Sequence, residues 1–257
     1  MTLLGWLAEL PLVTVLPLAA VLGLIAGSFI ATLVLRWGSG RSILGRSVCD
    51  GCGRTLGLLD LIPLIGWLAR RGRCSACSKA IDPLHLRVEV GCAAIGAASV
   101  LLLPGAAGWG LALLGWLLLP LALLDLRHYW LPDVLTGVLA GTGLVLAGPM
   151  LDSSLPERLT GAIAGGATLG VLAWLFARAR GRDGMGGGDP KLAAAIGCWI
   201  GWMPLPFMFA MASFGGIIWA LLQKGDEPVR DRHIPFGAFM AAAAWATVPV
   251  WTYFITG

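Results

Sequence analysis

Eight apolar runs, each close to the length of a bilayer crossing, dominate this chain and leave it few alternatives. They fall at about 12–35, 84–103, 107–126, 133–150, 158–177, 190–203, 205–222 and 235–254. A helix needs about 20 such residues, range roughly 17–25, to cross hydrocarbon. In lipid, every backbone N–H and C=O must find a partner within the protein, which excludes open sheets and irregular spans. The expected fold is an all-α membrane protein of about eight transmembrane helices. Composition agrees: 58% of residues are hydrophobic and 12% charged, where a soluble domain carries about 25%. The sixth run is short and Gly-rich and reads as a tilted or partial crossing. Residues 1–11 lack a basic start, so the first run is read as a retained helix and not a cleaved leader.

One long polar segment, 36–83, interrupts the pattern. It divides the chain into a first transmembrane helix (1–35), a small polar domain (36–83) and a transmembrane domain (84–257). Within it, Leu58 to Trp67 is apolar but too short to span, and reads as an interfacial or docked helix. Of the 18 Lys and Arg residues, only Arg158 lies outside four connections: 36–87, Arg127, 178–191 and 224–232. With eight helices, those four connections share one side. The excess of basic residues makes that side cytoplasmic. The basic loop is read as a topology and headgroup determinant, with no nucleic-acid partner.

The polar domain carries Cys49-Asp-Gly-Cys52 and Cys74-Ser-Ala-Cys77. Thiolates at i and i+3 on a tight turn face one metal, and a second such turn completes a tetrahedral four-cysteine zinc site. Four protein ligands leave no open position for water, so the zinc is structural. A reducing cytoplasm argues against disulfides. Cys92 and Cys198 sit in apolar helices and read as packing residues.

Two carboxylates stand out. Asp125 ends the third apolar run. Asp189 follows Gly186, Gly187 and Gly188 and precedes Pro190 and Lys191. Acids within membrane helices are expensive, which makes them functional candidates. A close pair of carboxylates shares one proton, and the shared proton suits aspartyl-protease chemistry. Bland readings exist for each acid: an N-cap for Asp189, an Arg127 partner for Asp125. Asp133, at the start of the fourth run, is a rival for the first position. Lys191 either tunes the pair or binds an acid. His85, His128 and His233 lie in or near the basic connections. Read from residues alone, a proton-coupled transporter using the two acids and a non-catalytic zinc scaffold stay open.

Taken together, the motifs resemble the type IV prepilin peptidases, leader peptidases of the GxGD class. The resemblance spans nearly the whole chain. Gly27-Ser28-Phe29 with Arg36 matches the first-helix motif. Cysteine pairs flank Asp60-Leu-Ile-Pro63 and Arg71-Gly72-Arg73. Asp125 to Asp133 matches one catalytic segment and Gly184 to Leu192 the other. Asp60 stands where the family often has Asn. The resemblance implies an inner-membrane enzyme with Asp125 and Asp189 catalytic and Gly186, Gly188 and Lys191 in the active-site loop. It would cut the basic leader of prepilins or pseudopilins at the cytoplasmic face. It also implies N-methylation of the new terminus from S-adenosylmethionine, with Gly72 and Glu89 connected to that activity.

Overall fold

Proline punctuates the apolar runs. Pro11, Pro83, Pro104, Pro132 and Pro204 are each the residue just before a helix, where a fixed φ and a missing N–H do no harm. A computed structural model describes residues 11–181, 186–223 and 234–256. Its helices are α1 (Leu12–Gly38), α2 (Leu58–Leu61), α3 (Ile65–Ala69), α4 (Leu84–Leu102), α5 (Gly105–His128), α6 (Asp133–Leu151), α7 (Leu155–Arg180), α8 (Gly188–Ile200), α9 (Leu205–Leu222) and α10 (Phe236–Thr256). Among the described residues the only β pairings are two isolated bridges, Val48–Thr55 and Arg73–Ala80.

Among the described residues, six helices, α1, α4, α5, α6, α7 and α9, are long and apolar enough to cross a membrane. The short run of the sequence is α8, which at 13 residues rises only about 20 Å. Ser154 and Glu157 form a reciprocal capping box that starts α7, three residues before its apolar run. The apolar stretch at 58–67 is two short helices with a break at Ile62–Leu64, where Leu64 has φ +64°.

Helix α5 is the centre. In its most apolar stretch 61% is buried, against at most 39% in any other span, and it packs on α1, α4, α6 and α10. Two glycine seams draw the remaining helices together. Gly23 and Gly27 of α1 lie directly on the α4 backbone at Cys92 and Glu89, where a Cβ at 27 would stand 2.6 Å from Glu89 Cα. Gly161 of α7 lies against Gly197 and Gly201 near the end of α8, and Gly165 against Ala193 in its middle. Small residues four apart permit such close approach in a membrane, where packing replaces the hydrophobic drive. The buried Trp199 then ties α8 to α6 by donating its Nε1–H to the Leu139 carbonyl at 2.8 Å.

The α7–α8 seam positions the helix that carries Asp189 in its first turn, so it has a measurable stability effect. Gly161→Leu forces a side chain into the α8 backbone. Such overpacking costs about 1–3 kcal/mol or more, and the melting temperature in detergent falls by about 5 °C or more. Gly170→Leu, on the same helix with nothing within 4 Å of its Cβ position, leaves it unchanged. Equal melting of the two variants would refute the seam.

Candidate active site

Asp125 lies in the last turn of α5, where the Tyr129 N–H closes the helix on its carbonyl at 2.9 Å. Asp189 lies in the first turn of α8, behind the N-cap Gly187. One helix ends and the other begins at the same end of the bundle. Both acids are buried, Asp125 at 6% and Asp189 at 8% exposure, and each lies within electrostatic reach of the other. Asp189 is therefore inside its helix and not the cap itself. Its N–H donates to the Gly186 carbonyl at 3.1 Å, and the Gly186 N–H turns back to its carboxylate.

Glycines define the space around the pair. A Cβ on Gly188 would stand 2.9 Å from Leu131 Cβ, and one on Gly237 would stand 2.9 Å from Leu131 Cδ1 and 3.0 Å from Asp125 Oδ2. Leu131, in the turn between α5 and α6, is thus wedged between the starts of α8 and α10. Asp125 Oδ2 accepts the Ala238 N–H at 2.9 Å. This contact, and Gly237 beside it, had no signal in the sequence beyond a helix start after Pro235, because its partner lies 113 residues away.

The rival acid is placed differently. The Asp133 side chain is 72% exposed and binds Lys191 Nζ at 2.7 Å. Lys191 so joins the start of α8 to the start of α6. His128 packs against Gly38 at the end of α1, which brings the polar domain out at the same end as Asp125. Gly184 and His233 lie outside the described residues.

The cysteine segment folds as two matching turns. Cys49 N–H donates to the Arg54 carbonyl and Gly53 N–H to the Cys49 carbonyl; Cys74 N–H and Ser78 N–H repeat the pattern with Lys79 and Cys74 carbonyls. Gly53 (φ +70°) and Ser78 (φ +57°) take the left-handed position. All four sulfurs lie within 4.8 Å of one another, and Cys49 and Cys77 Sγ are 3.7 Å apart. A tetrahedral zinc with bonds of about 2.3 Å sets sulfurs about 3.8 Å apart, so the donor set fits. Backbone N–H groups of Ala76 and Cys77 pull the Cys74 thiol down to about 6. The Lys79 N–H favours the Cys77 thiolate, yet loss of water and the three neighbouring sulfurs push that thiol up to about 11.

Between this segment, α1 and α4 lies a cavity of about 500 Å³, lined by Arg36, Asp60, Trp67, Arg70, His85 and Glu89 among others. Asp60 is ion-paired with Arg70 and Arg54. Glu89, buried at 5%, accepts the Leu64 N–H at 2.7 Å and so holds the break between α2 and α3. Gly72 (φ +68°) packs on Trp67, and a Cβ there would be 2.7 Å from the indole Cζ2. Trp67 Nε1 is buried without a hydrogen-bond partner.

Comparison with known proteins follows the same division. The type IV leader peptidase family model matches residues 111–221, and the bacterial peptidase A24 N-terminal domain matches 21–103. A prepilin leader peptidase/N-methyltransferase of Stutzerimonas stutzeri is 33% identical, covering 96% of this chain and 94% of that protein. One of Pseudomonas aeruginosa is 34% identical over 95% and 93%. One of Aeromonas hydrophila is 39% identical over 78% and 70%. No solved structure matches.

Proposed function

This chain belongs to the type IV leader peptidase family, and from that premise we propose that Asp125 and Asp189 cut the leader of a prepilin or pseudopilin. The chain is a membrane aspartyl endopeptidase and N-methyltransferase. The observation that carries the site is the buried pairing of two acids from helices that meet end to start. A pair sharing one proton supplies both a base for water and an acid for the scissile carbonyl. Gly186 leaves the approach to Asp189 free of a side chain, Gly188 makes room for Leu131, and Lys191 ion-pairs with Asp133.

Helices α8 and α10 complete a set of eight crossings, with the cysteine segment and the acids facing the cytoplasm. The concentration of Lys and Arg at that end supports this orientation. Cys49, Cys52, Cys74 and Cys77 hold a structural zinc; their spacing supports it.

The cavity beside the cysteine segment would hold the methyl donor, S-adenosylmethionine, which would supply the methyl group for the new N-terminus. Its lining offers acids, guanidinium groups and an indole for a ligand that bears a cation, a carboxylate and a purine. The unpartnered Trp67 Nε1–H supports a ligand there. Gly72 keeps that indole in place.

The test is cleavage of a purified prepilin in detergent, with labelled S-adenosylmethionine added to the same reaction. Wild type cleaves and methylates. Gly72→Ala, which strains a positive φ and presses on Trp67, loses methyl transfer by about tenfold or more while cleavage persists. Wild-type methylation by that variant would remove the cavity from the reaction.

A further inference from the structure

We propose that the first turn of α10 is the third arm of the dyad: its Gly237 and Ala238 amides hold Asp125 ionised, making Asp125 the base and Asp189 the proton donor. The inference rests on the reading of Asp125 and Asp189 as the catalytic pair.

The contact is direct. Ala238 N–H donates to Asp125 Oδ2 at 2.9 Å, and the Gly237 N–H also points to that carboxylate. Both residues are buried. Amide donors aimed at a carboxylate favour its charged form, more so with water excluded. The close approach needs glycine, since a Cβ at 237 would meet Asp125 Oδ2 at 3.0 Å. Asp189 has a different environment: its backbone donor, Gly186, is on an exposed loop.

Of the charged groups on helices packed against α5, three are engaged elsewhere; His85 of α4 lines the cavity beside the cysteine segment, and Arg87 of α4 with Arg127 and His128 of α5 itself complete the set. Arg36 of α1 donates to the Ile43 and Arg46 carbonyls. Glu89 of α4 accepts from Leu64. Asp133 of α6 binds Lys191. The charge of Asp125 is felt at Asp189. Helix α10 packs on both α5 and α8, and its first turn meets Leu131, which also lies against Gly188 at the start of α8.

The roles follow and the atoms balance. Water gives one proton to Asp125 as its oxygen bonds to the scissile carbonyl carbon. Asp189 gives its proton to the carbonyl oxygen. The C–N bond then breaks with its electron pair on nitrogen, which takes the proton held by Asp125. One hydroxyl proton of the diol returns to Asp189. A carboxylic acid and an amine leave, and the dyad is restored.

The test is the pH dependence of prepilin cleavage by the full-length chain in detergent. Ala238→Pro deletes the N–H that donates to Asp125 Oδ2, in the first turn of α10, where backbone N–H groups have no i−4 partner within the helix. Its kcat falls by about tenfold or more with KM unchanged. Loss of a donor to the ionised form moves the acid limb of the profile to higher pH, by about one unit; the alkaline limb stays. Movement of the alkaline limb alone would reverse the two roles. No movement of either limb would reduce the turn to a structural element. Methylation of a pre-cleaved pilin reports whether the variant folds. If Ala238→Pro does not fold, Gly237→Ala, which keeps the amides but pushes on Asp125, is read by the same acid limb. Full cleavage by Asp125→Asn would instead overturn the dyad on which the inference stands.

Discussion

Asp125→Asn and Asp189→Asn each abolish prepilin cleavage, with rates down by at least about 1,000-fold. Asparagine keeps the size of the side chain and can still accept an amide hydrogen bond, so the buried packing survives. It cannot take or give the shared proton. The two residues act as a unit, so the double variant is no slower than either single one. Asp133→Asn is the matched control, because Asp133 is exposed and bound to Lys191. It cleaves at close to the wild-type rate, since an exposed ion pair is worth about 0–1 kcal/mol. Cleavage by Asp125→Asn together with loss in Asp133→Asn would exchange the first catalytic acid. Methylation of a pre-cleaved pilin continues in both dyad variants and shows that they fold.

The second large effect is on the cysteine segment. Cys49→Ser/Cys74→Ser removes the metal, measured as zinc per chain. Structural zinc supplies about 10–16 kcal/mol of folding free energy in small domains, far more than two short helices and two β bridges provide. The segment between α1 and α4 therefore opens, read as rapid proteolysis between residues 39 and 83. Methyl transfer is lost, because the cavity wall is made of this segment. Cleavage falls by a smaller factor, since Asp125 and Asp189 stand on α5 and α8. An unchanged zinc content, or wild-type methylation by zinc-free protein, would refute the assignment.

Most helices could be read from the sequence because lipid demands long apolar runs and proline marks their starts. The ends were less visible. The capping box of Ser154 and Glu157 lies outside the apolar window that located α7, so hydropathy alone starts the helix late. The break at Leu64 depends on the Glu89 carboxylate, 25 residues away; no local pattern encodes it. Asp189 was visible through its glycines, whose spacing is local. Asp125 was separable from Asp133 by family likeness, and physically only once burial distinguished them. Gly237 and Ala238 were invisible as site residues because helix packing brings them to Asp125, and packing has no sequence period.

The seam between α1 and α4 has a consequence for the segment it encloses. Gly23 and Gly27 pin the two helices side by side, so both ends of residues 39–83 emerge from a joint already closed. Closing a loop costs entropy that grows only with the logarithm of its length, about 0.6 kcal/mol per doubling. Here the helix contact carries that cost. The cysteine segment folds as a tethered ring with its ends already together, and a metal held by its four cysteines would have only to order the chain between them.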